Sequence, residues 1–179
     1  MKRHLALVGF MASGKSTIGR KLARRLSWPF VDTDAIVARK HGAITAIFER
    51  EGETGFRRYE REAIRCALDS VDRSVVALGG GALTVAANRT LLAEHAFRVF
   101  IKISPEQILT RVRRSHEVRP ILGPSPTLAR IRELYARRMA DYERVDHVID
   151  ASRRSDASVV DEIVAWLHSC DPAGGRAAS

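Results

Sequence analysis

The chain has 179 residues, 45% of them apolar and 28% charged, a composition that fits a globular domain and excludes collagen-like or disordered classes. No apolar run approaches the roughly 20 residues needed to cross a bilayer, so no membrane partner is expected. The net charge of +9 rests on 30 basic residues, only five of them lysine. These are scattered without long runs or interleaved aromatics, which fits a solvated basic surface or a pocket for anionic substrates better than nucleic acid.

The opening Met1-Lys2-Arg3-His4 enters an apolar stretch with no small-residue cleavage site, so no secretory leader is expected and the cytoplasm is the default location. His4–Val8 reads as a strand, followed by a glycine-rich turn and a helix over Lys15–Leu26. Pro29–Asp32 is a second short strand. Helical patterns follow at Ala35–Lys40, Ala43–Arg50 and Thr54–Leu68. Ser74–Leu78 reads as a buried strand ending on Gly79-Gly80-Gly81. A helix over Val85–His95, a strand over Arg98–Ile103 and a helix begun by Pro105 come next. His147–Ile149 is a last strand and Ala157–Leu167 a closing helix. Strands alternating with helices predict an α/β fold: a central, mostly five-stranded parallel sheet between helical layers.

A single domain over 1–170 is expected, with a frayed tail over 171–179. Arg111–Pro126 breaks the rhythm with four arginines and three prolines. An irregular segment of that length in a compact domain reads as a mobile lid. Cys66 and Cys170 are too few and too far apart for a disulfide framework and read as free thiols.

Gly9–Thr17, GFMASGKST, matches the phosphate-binding loop G-x-x-x-x-G-K-[ST] between a predicted strand and a predicted helix, the context that gives the motif meaning. Ala12, Ser13, Gly14, Lys15, Ser16 and Thr17 would then surround a nucleoside triphosphate. Backbone amides and the helix N-terminus face the phosphates. Lys15 neutralises the outer two phosphates, and the Ser16 hydroxyl holds Mg²⁺. Ala12 stands where a further glycine would be unremarkable, so negative φ is expected there.

Asp32 and Asp34 follow the second strand. An acid at the carboxyl end of a parallel strand lies beside the ligand crevice. Asp32 is placed to hold Mg²⁺ and Asp34 to align an acceptor hydroxyl and take its proton. Capping of the next helix competes for either residue. In EGETGFRRYERE, Phe56, Ala63 and Ala67 share a core-facing stripe. Arg57 and Glu60 lie three apart, so the carboxylate can brace the guanidinium. Arg58 and Glu62 are spaced for an ordinary surface pair. Arg138 lies four residues before Tyr142. Arg57 and Arg138, from distant helices, could close on one carboxylate with planar bidentate bonds.

The ordered set GFMASGKSTIGR, FVDTD, GETGFRRYE, ALGGGA, VRPIL and RRMADY resembles the shikimate kinases from about Leu5 to Asp161. The resemblance implies a fold like that of the nucleoside monophosphate kinases, with ATP as phosphoryl donor, shikimate as acceptor, and a monomer. It implies Asp34, Arg57, Gly80, Gly81 and Arg138 as the shikimate site, with Asp34 on the reacting hydroxyl. Arg119 would approach the transferring phosphoryl group, and Arg153 and Arg111 the adenine. Lys15, Asp34 and Arg119 would carry the chemistry. A kinase for a related acid, such as an aminoshikimate or a sugar acid, is the close alternative. A nucleotide-binding protein without kinase activity is the more distant one. A GTPase-like switch lacks its N-K-x-D base-recognition sequence here.

Overall fold

The computed structural model describes residues 2–69, 71–115, 119–123 and 125–171. Five parallel strands form one sheet: β1 (His4–Val8), β2 (Phe30–Asp32), β3 (Val75–Ala77), β4 (Ala96–Lys102) and β5 (His147–Asp150), in the order β2-β3-β1-β4-β5. Every residue of central β1 is buried, and its HLALV sequence has no polar alternation because both faces are covered. At the sheet edge, β5 alternates, with Ile149 buried and Val148 exposed.

The helices are α1 (Lys15–Leu26), α2 (Thr33–His41), α3 (Ile44–Asp69), α4 (Ala86–His95), α5 (Pro105–Arg114), α6 (Leu128–Tyr142) and α7 (Asp156–Cys170). α1 packs against the first three strands and beside α7, α4 lies on β4, and α2 pairs with α3 as α5 does with α6. The parallel α/β architecture expected from the strand–helix alternation is therefore present. None of the described helices is long and apolar enough to cross a membrane.

The two helices expected at Ala43–Arg50 and Thr54–Leu68 are the two stretches of α3, which meet at a kink at Gly52. Gly52 is non-helical, with φ 65° and ψ −170°. Glycine takes that geometry without a Cβ penalty, so one helix gives way to the next there with no intervening loop. The core stripe of α3 is as expected, with Phe56, Ala63 and Ala67 all buried. Arg58 departs from expectation. It bonds Glu51 at 2.9 Å, across the kink, while Glu62 pairs with Lys40 of α2 at 3.3 Å. The bend at Gly52 brings Glu51 within reach, which straight-helix spacing does not anticipate. Cys66 and Cys170 are free thiols. Of the expected lid, residues 116–118 and 124 lie outside the described residues, as does the tail beyond 171.

Candidate active site

The site is built at the carboxyl edge of the sheet, where β1, β2 and β3 release their chains. After β1 the backbone turns through Gly9–Gly14 and enters α1 with Gly14 as N-cap, in the left-handed region at φ 97°. Lys15 is 9% exposed, and its ammonium donates to the carbonyls of Gly9 and Phe10, each at 2.9 Å. Burial pushes its pKa down to about 8, against the pull of Asp34 in the other direction. Ser13 is buried with its hydroxyl tucked toward Gly9, which leaves its backbone rather than its side chain facing outward.

Ala12 corrects a sequence expectation: its φ is +59°, not negative. The loop needs a left-handed residue there to reverse direction, and alanine takes that geometry at a cost of roughly 1 kcal/mol or more.

Asp32 caps α2 and at the same time reaches the phosphate loop. One carboxylate oxygen caps α2, accepting from the amides of Asp34 at 3.1 Å and Ala35 at 3.4 Å. The other accepts from the Ser16 hydroxyl at 2.7 Å. Two hard oxygen donors are thereby juxtaposed at the mouth of the phosphate loop, the donor chemistry that Mg²⁺ accepts when phosphates and water complete its shell. A cavity of about 490 Å³ opens here, lined by the loop from Met11 and Ala12 through Gly14, Lys15, Ser16 and Thr17, and by Asp32, Asp34, Gly80 and Arg119.

A second, smaller cavity of about 100 Å³ adjoins it and shares Met11, Asp34, Ile44, Gly80 and Arg119. Arg57 and Arg138 line this one, from α3 and α6, together with Gly79 and Gly81. Arg57 donates to Glu60 at 2.8 Å and to Glu53 at 2.6 Å. Glu60 is fully buried, and burial raises its pKa to about 6 although Arg57 pulls it back. Arg138, 5% exposed, donates to the Gly80 carbonyl at 3.1 Å and lies over the Phe10 ring. The Tyr142 hydroxyl donates to the same carbonyl. Two arginines thus converge on one small pocket, Arg57 held by Glu53 and Glu60 and Arg138 by the Gly80 carbonyl.

The glycine triplet is required by close approach rather than by φ. A Cβ on Gly79 would meet Glu60 and, at 2.8 Å, Asp34; one on Gly81 would collide with the Arg57 guanidinium. Thr33 pins the triplet, its buried hydroxyl accepting from the Gly79 amide at 3.1 Å and donating to the Ala77 carbonyl at 3.3 Å.

The opposite wall is apolar, formed by Ile44, Phe48, Phe56 and Ile121. Sequence reading missed Thr33 and most of this wall. Ile44 and Phe48 share a helical stripe with core residues, so periodicity cannot separate a pocket wall from a core face.

The remaining arginines divide. Arg119 lines both cavities from the start of the 3₁₀ turn Pro120–Leu122. Arg111, in the last turn of α5, reaches the phosphate loop itself and donates to the Ala12 carbonyl at 3.1 Å. Arg153 sits exposed on the turn after β5 and lines neither cavity.

A phosphate loop on the central strand, an acid at the junction of two cavities and a paired-arginine pocket define a phosphotransferase acting on a small carboxylated acceptor. Comparison with known proteins makes this specific. Residues 11–168 match the family model described as shikimate kinase. The shikimate kinase of Geobacter sulfurreducens is 42% identical over 166 residues, covering 92% of this chain and 91% of that one. That of Symbiobacterium thermophilum is 44% identical over 168 residues, covering 92% and 95%. The solved shikimate kinase from Acinetobacter baumannii in complex with shikimate superposes with a TM-score of 0.88 at 32% identity, covering 96% of each chain. The chain belongs to the shikimate kinase family.

Proposed function

We propose that the chain transfers the γ-phosphoryl group of ATP to the 3-hydroxyl of shikimate, with the residues described above in specific roles. The observation that carries this reading is the shared border of the two cavities. Asp34, Gly80 and Arg119 face both the phosphate loop and the arginine pocket, so donor and acceptor meet there and nowhere else in the site.

Arg57 and Arg138 grip the shikimate carboxylate, and the apolar wall of Ile44, Phe48 and Phe56 covers the carbon face of the ring. This fixes the ring so that one hydroxyl lies at Asp34, which orients it and accepts its proton as the oxygen attacks. Lys15 and the loop amides hold the phosphates, and Arg119 offsets negative charge on the transferring group. Ser16 and Asp32 would hold Mg²⁺, which supplies charge neutralisation at the phosphate oxygens when bound. Arg119 lines both cavities and Pro120 and Ile121 the smaller one, which supports the reading of the surrounding segment as a lid that excludes water. Arg153 belongs to the adenine side by resemblance alone. A cytoplasmic, monomeric enzyme with no nucleic-acid or membrane partner is the reading that the family resemblance carries.

The test is ADP release measured across a small panel of hydroxylated cyclic acids, with phosphorus NMR locating the product's phosphate. ADP release that depends on shikimate and a phosphate on the 3-oxygen are expected. Release without an acceptor, or only with a different acid, overturns the reading.

A further inference from the structure

A side chain completes the sheet beside the point where the two cavities meet. β2 and β3 pair in register as far as Asp32 and Ala77, and the next residue, Thr33, is already the first of α2. The chain of β3 runs on past that end, with Leu78 donating to the Leu7 carbonyl of β1 at 3.1 Å. The Ala77 carbonyl and the Gly79 amide, both on buried residues, therefore face the side that β2 has left. The fully buried Thr33 hydroxyl serves both. It donates to the first at 3.3 Å and accepts from the second at 3.1 Å. In a parallel ladder, a strand residue opposite Leu78 would bond these same two groups with its own amide and carbonyl. One hydroxyl stands in for a whole backbone rung.

We infer that Thr33 is a positioning residue for phosphoryl transfer: its hydroxyl carries the β2–β3 ladder one rung past the end of β2 and so sets the glycine turn against Asp34. The backbone at residue 33 is thereby free to enter α2, which brings Asp34 to the site one residue later. The turn and that carboxylate are in close contact, since a Cβ on Gly79 would stand 2.8 Å from an Asp34 oxygen. The next residue, Gly80, presents its carbonyl to Arg138 at 3.1 Å. A drift of the turn therefore reaches both the group that aligns the acceptor hydroxyl and an arginine of the acceptor pocket. Threonine suits the task because its branched Cβ restricts χ1 and aims the hydroxyl in one direction. Valine has the same shape but neither donates nor accepts, so it leaves two buried backbone groups unpaired. The inference rests on the proposed function, in which Asp34 orients the acceptor.

Steady-state kinetics and melting temperatures are measured for Thr33→Val and Thr33→Ser. Val160→Ala, in the buried face of α7, serves as a variant that weakens the fold away from the turn. Thr33→Val is expected to lower kcat about tenfold and to raise KM for shikimate about threefold, the scale of a sub-ångström misplacement of reacting groups. KM for ATP should stay within about twofold of the parent, and Thr33→Ser, which keeps the hydroxyl, within about threefold in kcat. Val160→Ala should melt lower yet keep the parent's constants when assayed well below its melting temperature. Parent-like constants in Thr33→Val with only a lower melting temperature make the hydroxyl a matter of stability and overturn the inference. An equal loss of kcat in Thr33→Ser assigns the effect to the methyl group and overturns it too. Should Thr33→Val not fold, Thr33→Ala takes its place, and failure of both while Thr33→Ser folds again makes the role structural and overturns the inference. A parent enzyme unable to phosphorylate shikimate would instead strike the proposed function, so the two failures are distinct.

Discussion

Lys15 keeps its charge in a buried pocket, and burial brings its pKa to about 8 in the free protein. Since kcat/KM for ATP follows the free enzyme, it should fall as pH rises through about 8. The limb in kcat should lie higher, because a bound triphosphate favours the ammonium form. The fold itself gains from the same change. A lysine whose folded pKa lies below its unfolded value of 10.5 adds stability between the two, so loss of activity with gain of thermal stability is the signature. A pH–rate profile in ATP with parallel melting curves checks this, and coincident limbs in the two kinetic parameters would count against it.

Glu60 shows the opposite case. Its folded pKa is raised to about 6 by burial, so its contribution to stability is greatest at low pH and is lost as pH climbs from about 4.5 through 6. Ionisation there costs the fold roughly 2 kcal/mol, yet only the ionised form draws Arg57 toward the acceptor pocket at full strength. Glu60→Gln should therefore raise KM for shikimate several-fold at neutral pH and abolish the change in that KM near pH 6, at saturating ATP. Unchanged pH dependence in this variant would assign the transition to another group.

At the scale of elements, the turn from β3 into the following 3₁₀ segment (Ala82–Thr84) abuts both the arginine pocket and Asp34, and its glycines divide the two. Gly81 abuts the Arg57 guanidinium, whereas Gly79 abuts Asp34 and Glu60. A methyl on Gly81 displaces the far end of a flexible side chain, and the φ of −112° tolerates alanine. Gly81→Ala should thus raise KM for shikimate about tenfold with kcat and melting temperature little altered, an effect of about 1.4 kcal/mol on binding. Gly79→Ala should lower kcat as well as raise KM, because its Cβ would stand 2.8 Å from the Asp34 carboxylate and would also press on Glu60, the brace of Arg57. Steady-state constants for both variants decide it, and an unchanged kcat in Gly79→Ala would remove the distinction.

Much of this architecture is legible from residues alone. β1 and α1 coincide with the predicted segments because a fully apolar strand, a glycine-rich turn and an amphipathic helix are local signals. Asp34, Arg57 and Arg138, read from an acid after a strand and arginines on distant helices, line one cavity. What escaped has a physical reason in each case. Ala12 looked compatible with negative φ because nothing in a loop sequence reveals which residue must reverse the chain. The Arg58–Glu51 pair depends on the bend at Gly52, and the Arg111–Ala12 bond joins residues 99 apart. Such contacts follow only after α5 is set beside the phosphate loop.

At the scale of the whole molecule, the excess of positive charge has a direction. Lys15, Arg57, Arg119 and Arg138 line the two cavities against Asp32 and Asp34, with Arg111 at the rim. Elsewhere many arginines are matched by exposed acids, as in Arg132–Glu106, Arg137–Glu133 and Arg154–Glu162. Both substrates are anions, ATP the more strongly charged. A field of this kind raises their encounter rate, and salt weakens it as the screening length shrinks from roughly 14 Å near 50 mM to roughly 6 Å near 300 mM. Over that range kcat/KM for ATP should fall about 3–10-fold, and that for shikimate by a smaller factor in keeping with its single charge. Turnover at saturation should change less than either, because the Arg57–Glu60 pair and buried Lys15 are poorly screened. The ordering by ligand charge is the decisive feature. Equal losses for both substrates would indicate a salt effect on the fold, and no loss for ATP would mean that the +9 net charge is a solvated surface that leaves substrate encounter untouched.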